Sequence, residues 1–428
     1  MRESVLSLDP ADLPGDAATA AAKSKLLSLL FDTLVVLDDS GMPQPALALS
    51  WQHDADCRKW RFLLRAGVPL EDGSTLTAET VAAILRPFND TWRVGASGDE
   101  LSIETAISAP DLPYDLADPS KSICLRGDNA RLSGTGPFRL ARWEPGRRVL
   151  LAANPQCWAG RPFLDAVSIE MGRTLRDQLL DLEVDKADFV EIGPVEARRA
   201  VQRGARLWST APDTLIAIAF ERGKPALEDA RLREAVALSI DRAAMHSVLV
   251  QKQGEVAVSL LPQHLSGYAY LFSSGADPAR ARQLISGIGQ VPSLVLAYDG
   301  SDPLARPMAE RIAVNAREAG ITIQVNAQAG SPDMRLVRLP IRSPLPAPAL
   351  AEIASFFHLD SPRPAQGEAI ESLYTSERAM IDSYRVIPLL HIPELFGSTV
   401  RLRVWETRGV DKSGKWHFAD MWLDTEKP

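Results

Sequence analysis

The stretch Gly134–Ile169, GTGPFRLARWEPGRRVLLAANPQCWAGRPFLDAVSI, sets a glycine turn, two strands and an aromatic anchor in one order. Gly134 and Gly136 flank Thr135 and are expected to take backbone angles closed to residues with a Cβ; Pro137 then stiffens the start of a strand at Phe138. Phe138, Leu140, Val149 and Leu151 alternate with polar neighbours, as half-buried strands do. The segment reads as scaffold, with no side chain suited to catalysis.

On either side lie further blocks: LSLDPADLP (6–14), LLFDTLVVLDDSGMPQPALALSW (29–51), WRFLLRAGVPLEDGSTLTAETV (60–81), LREAVALSIDRAAM (232–245), DPARARQLISGIG (277–289) and AREAGITIQV (316–325). Taken in this order, they resemble the extracellular solute-binding proteins of family 5, the peptide, nickel and oligosaccharide receptors that feed ABC transporters. The resemblance implies an α/β, two-lobed, periplasmic-binding-protein-like (type II) architecture with a ligand cleft between the lobes. Lobe one would be 1–213 plus 397–428, and lobe two 214–396. The chain would cross at TLIAIAFERG (214–223) and return near RVIPLLHIPELFGS (385–398). Between about 82 and 133 it is short for the family, which implies a reduced extra subdomain in lobe one.

Bulk properties agree with a folded chain of more than one core. The 428 residues exceed one ordinary core, and 46% hydrophobic with 24% charged residues is a globular composition. Net charge is −8 from 47 basic and 55 acidic side chains, with no long basic block, so nucleic acid is not an expected partner. No window reaches the roughly 18–20 apolar residues of a membrane span. The start, MRESVLSLDP, has no hydrophobic signal region; either an export leader has been removed, or a cytoplasmic protein carries this module. Cys57, Cys124 and Cys157 form no disulfide framework, and buried thiols are expected, with one bridge left open.

Read from its residues, 293–327 is a βαβ unit: SLVLAYD, a helix with Leu304, Met308, Ile312 and Val314 to Ala316 near helical spacing and Gly320 as its stop, then ITIQV. Such a unit implies a parallel strand pair. A single helix is expected over 229–250, capped by Asp229, with Leu232, Val236, Ser239, Ile240 and Met245 on its buried face. The proline-rich PIRSPLPAPAL (340–350) is expected to be an extended loop.

Candidate ligand contacts are few. Family peptide binders hold the peptide amino group with an aspartate in the later part of lobe two; the corresponding stretch here, DMRLVRLPIRSPLPAP (333–348), lacks the acid at that place and offers Arg338 and Arg342. Two arginines suit a carboxylate, phosphate, sulfate or sugar hydroxyls. His391 follows Ile387-Pro388-Leu389, where the family lines its cleft. No second histidine or cysteine sits beside it at ligand spacing, so no metal and no cofactor are expected. Trp51, Trp60, Trp143 and Trp158 sit at motif positions and are expected to pack; Trp92 is the freer stacking candidate. Glu191, Glu221 and Pro14 complete the candidate set. GVDKSGKW (409–416) has Trp416 where a phosphate loop needs Ser or Thr, GTGPF leads into a strand, and no nucleophile motif occurs, so no enzyme machinery is visible. The resemblance implies the binding component of an ABC importer that delivers a peptide-like, opine or sugar-like solute to a membrane permease, periplasmic or extracellular and associated with the cell envelope, and monomeric as is the family default. A ligand-sensing regulatory module of the same fold is the alternative.

Overall fold

The computed structural model describes residues 1–428 except 13–16, 72, 128–131, 274, 328–329, 361–369, 406–408 and 425–428. The chain divides into two compact units. Unit 1 holds Met1–Ile192, Arg199–Thr210 and Leu395–Pro428, and unit 2 holds Gly193–Arg198 and Ala211–Glu394.

In unit 1 the deciding stretch forms a three-stranded antiparallel sheet of Phe138–Glu144, Arg148–Ala153 and Ala166–Glu170, with Arg148–Ala153 in the middle. Phe138, Val149 and Leu151 are buried in a core with Leu26 and Leu27 of the helix Ala17–Leu30 and with Phe31 just after it, and Leu140 packs against it. The two glycines act differently from the sequence expectation. Neither has a left-handed φ; a Cβ on Gly134 would lie 2.3 Å from the Leu30 carbonyl oxygen and 2.4 Å from Phe31 Cδ1, and one on Gly136 would lie 2.5 Å from the Leu30 carbonyl carbon. Closeness to the helix end, rather than an unusual backbone angle, excludes a side chain there. Asp32 fastens the same junction: its Oδ2 accepts from Thr135 Oγ1 at 2.8 Å and from Trp158 Nε1 at 2.7 Å.

A four-stranded antiparallel sheet, in the order Ala48–His53, Lys59–Leu64, Glu100–Thr105, Trp92–Ser97, carries a second core. The helix Ala78–Leu85 covers it, capped by Thr77, whose side chain accepts from the Thr80 N–H, and it buries Val81, Ala82 and Leu85. A third sheet pairs Leu395–Ser398 with both Phe189–Ile192 and Arg206–Ser209. The three cysteines are free thiols; Cys124 is buried, and Cys57 and Cys157 are half-buried rather than enclosed.

Unit 2 is built on a six-stranded mixed sheet whose central strand, Thr214–Phe220, is buried on both faces. Met334–Pro340 and Val386–Ile392 flank it antiparallel. The βαβ reading is realised: Leu294–Ala297 and Ile323–Asn326 pair in parallel, joined by the helix Ala305–Glu318, which buries Met308, Ile312 and Ala316 but leaves Val314, read as part of the stripe, 46% exposed.

Two helical expectations are corrected. The run from 229 is two helices, Ala230–Ser239 and Arg242–Val248, because Ile240 is extended (ψ 119) and Asp241 caps a fresh start by accepting the Ala244 N–H. Asp229 does cap the first, and Leu232, Val236, Ser239, Ile240 and Met245 are all buried. The proline-rich stretch is extended only to Leu345; Pro346–Phe356 is a helix. Pro346 and Pro348 fall in the first turn, where the missing N–H groups have no helical acceptor anyway.

Candidate functional site

The candidates of unit 2 are set by its central strand. Ile216 faces Arg338 across one neighbour, and Leu215 faces His391 across the other. Residues directly opposite in an antiparallel pair share a face, and successive residues take opposite faces, so Arg338 and His391 lie on opposite sides of the sheet. Arg338 Nη1 is 3.6 Å from Asp302 Oδ2, with 29% of its side chain exposed. Glu221 follows the far end of the strand, roughly 17 Å from the level of Ile216 at about 3.3 Å per residue. Its carboxylate pairs with Arg335 Nε at 2.5 Å, and its N–H donates to the Asp333 carbonyl. Arg342 is exposed on the segment after Met334–Pro340. The sheet thus separates Arg338, His391 and Glu221. Asp333, the first residue of the stretch in question, is held by Lys224 Nζ at 2.7 Å and by the Val295 N–H at 2.7 Å.

His391 is enclosed within unit 2. It is 1% exposed, and both ring nitrogens have internal neighbours: Nε2 lies 3.0 Å from the Leu260 carbonyl oxygen and Nδ1 3.5 Å from Glu255 Oε1. A carbonyl only accepts, so Nε2 carries a hydrogen. The strand backbone here also packs on Gly254, which has φ +78; a Cβ there would sit 2.1 Å from the His391 carbonyl oxygen.

The sequence reading missed the acid beside it. Glu377, on the helix Ile370–Asp382, is 0% exposed; Oε1 accepts from the N–H groups of Leu260 (2.6 Å) and Leu261 (2.9 Å), and Oε2 from the Tyr268 hydroxyl (2.7 Å). Burial pushes the Glu377 carboxyl above its ordinary range, against the bonds it accepts. Burial also raises the Tyr268 hydroxyl, and the Glu377 charge adds to that. Its spacing held a signal: Leu373, Glu377 and Met380 share one helix stripe, and a carboxylate inside an apolar stripe needs internal donors.

In unit 1, Trp92 is 9% exposed and belongs to the core beneath the four-stranded sheet, so the ring read as free is scaffold. Its edge borders an open groove with Arg86, Arg93, Ser102 and Glu104. The tryptophan that does face solvent is Trp405, 70% exposed and stacked on Phe163 at 5.8 Å. Trp60 is buried, while Trp51, Trp143 and Trp158 are partly buried against cores. Glu191 lies on Phe189–Ile192, with Oε1 3.3 Å from Arg2 Nη2 and its N–H bonded to Gln178. Pro14 lies outside the described residues. Among the described residues there is no group of three or more His, Cys, Asp or Glu able to hold a metal ion, and no helix is long and apolar enough to cross a membrane.

The sequence model of the bacterial extracellular solute-binding proteins, family 5 middle, matches residues 42–338. The probable D,D-dipeptide-binding periplasmic protein of Escherichia coli is 24% identical over 317 residues, covering 67% of this chain and 61% of that protein. The di/tripeptide-binding protein 2 of Pseudomonas aeruginosa is 27% identical, covering 66% and 62%. The chain therefore aligns with a little over three fifths of each of these relatives. Among solved structures, the ABC transporter substrate-binding protein CtaP of Listeria monocytogenes superposes with a TM-score of 0.83 at 15% identity, over 99% of this chain and 98% of that one. A binding protein from Agrobacterium tumefaciens, solved with mannopinic acid, gives 0.81 at 20% identity, over 98% and 97%. These likenesses show the type II periplasmic binding-protein fold.

Proposed function

We propose, on the premise that this chain belongs to the bacterial extracellular solute-binding proteins of family 5, that it is the binding component of an ABC importer, which captures a small polar solute outside the inner membrane and passes it to a permease. The observation that carries the reading is the match across 42–338, which runs through the core of both units. Two short linkers add support. Residues 210–213 join Ser209 to Thr214, and 393–394 join Ile392 to Leu395, so chain connections of the kind that serve as hinges are present.

The solute class we favour carries an anionic or polyhydroxylated group rather than depending on a free peptide amino terminus. Asp333 is occupied by Lys224 and the Val295 N–H, whereas Arg342 is exposed and Arg338 half-buried. A guanidinium binds carboxylates and vicinal hydroxyls in the plane of its donors. The test is thermal unfolding of the full chain with free peptides, amino-acetylated peptides, sugar acids, opines, neutral sugars and metal chelates. A specific ligand at a hundred times its Kd stabilises by about 2.7 kcal/mol. The binding reading fails if no class shifts unfolding. The narrower reading fails if free peptides bind and lose affinity on amino acetylation.

A further inference from the structure

We propose that His391 and His264 form a proton-operated latch on the segment running from Glu255 to Tyr268, tightening it as pH falls and releasing it as pH rises. The idea stands apart from the identity of any transported solute. His391 Nε2–H donates to the Leu260 carbonyl, so in the neutral ring Nδ1 bears a lone pair, and that lone pair faces the Glu255 carboxylate at 3.5 Å. Two acceptors then oppose each other; His391 is 1% exposed, while Glu255 is 34% exposed and its Oε1 also accepts the Gln263 N–H at 2.9 Å. A second proton on the ring turns this contact into a charge-assisted hydrogen bond while leaving the bond to Leu260 in place.

The same segment is tied at a second histidine. His264 Nε2 lies 2.9 Å from Asp213 Oδ1, in the linker just before the central strand, and this contact too is an ion pair only when the ring is protonated. Glu377 completes the clamp from the other side of the Leu260 peptide, taking the N–H groups of Leu260 and Leu261 and the Tyr268 hydroxyl. Three carboxylates therefore meet this segment, from Glu255, Glu377 and Asp213, and among the described residues the two imidazoles are the titratable groups facing them that can carry positive charge. Arg378, the next residue on the Glu377 helix, is turned to Asp382 instead. Of the three carboxylates, Glu377 is buried and already accepts three hydrogen bonds, while Asp213 is 35% exposed, so protonating the rings adds positive charge to carboxylates that donors and solvent partly satisfy. Imidazole is the side chain whose ordinary titration falls between pH 5 and 8, which sets the two pH values to be compared.

The experiment is hydrogen exchange of the full chain at pH 5.5 and pH 8, corrected for the intrinsic exchange rate, read at the amides of Leu260, Leu261 and Gln263. Amides of the strand Thr214–Phe220 serve as the internal reference. We expect protection at the three sites to be about tenfold higher at pH 5.5 relative to the reference, and His391→Gln, which keeps a donor for Leu260 and cannot be protonated, to lose most of that difference. Should that variant fold poorly, the wild-type ring is followed by NMR, and its imidazolium signal should appear over the pH range in which protection rises. Equal relative protection at both pH values, an unchanged pH dependence in a folded His391→Gln, or a His391 ring still neutral at pH 5.5 would each overturn the latch.

Discussion

Replacing Gly136 by alanine isolates the physical cause behind the sequence's most informative segment. The added Cβ would stand 2.5 Å from the Leu30 carbonyl carbon, 2.6 Å from its oxygen and 2.9 Å from the Phe31 nitrogen. All three are backbone atoms, so no side chain can swing aside; the helix end and the turn must part. Such overpacking costs about 1–3 kcal/mol, here toward the upper part. Parting them also weakens the Gly136 N–H bond to Leu30 (3.1 Å) and the buried Asn154 bond to the Gly136 carbonyl (3.0 Å), about 1 kcal/mol more. The stiffer unfolded chain returns roughly 0.4–1 kcal/mol. The net expectation is a loss of about 2–3 kcal/mol in unit 1, a fall in Tm of roughly 5–10 °C. Urea unfolding followed by tryptophan fluorescence measures it, with an unchanged slope in denaturant showing that stability alone has moved. Gly275→Ala is the control: nothing lies within 4 Å of its Cβ position and its φ is not left-handed, so a change within about 0.5 kcal/mol is expected. If Gly136→Ala behaved like that control, the close-approach argument would be refuted.

Three further outcomes are expected. Asp32→Ala leaves the buried Thr135 hydroxyl and the Trp158 indole N–H without their common acceptor, and should lower stability by about 2–3 kcal/mol in the same urea assay; a loss under about 0.5 kcal/mol would show that the junction does not depend on it. Glu377 has a folded-state pKa above its ordinary 4.5, so the folded protein holds that proton more tightly than the unfolded chain; its contribution is complete below 4.5 and is lost as pH rises through the raised value. The stability difference between wild type and Glu377→Gln should therefore shift against the wild type from pH 5 to pH 8, and a shift the other way would contradict the raised value. Burial pushes the Cys124 thiol up to about 12, so in the native protein at pH 8 alkylation followed by peptide mapping should find Cys57 modified well before Cys124, and equal rates would show that Cys124 is not enclosed.

What the sequence determined by itself is what can be read within one element or from a motif order. The βαβ unit followed from a strand, a helical stripe and Gly320, since apolar periodicity reports which face is buried wherever it occurs. Asp229 as a cap was equally legible, because an N-cap acts on an N–H two residues away. The family order of the motifs carried the two-unit fold. Tertiary structure decided the rest, and in each case the deciding partner is remote. The break after Ser239 admits Arg242, whose guanidinium reaches the Pro388 carbonyl at 2.8 Å, 146 residues on. Gly134 and Gly136 are required by a helix end about a hundred residues earlier. His391 was legible as a polar residue beside a buried strand, yet its role was set by Leu260, 131 residues away, and by Glu255. Periodicity records that a side chain is buried; what it meets there depends on which distant segments the sheet brings alongside, and that is decided only when the whole core closes.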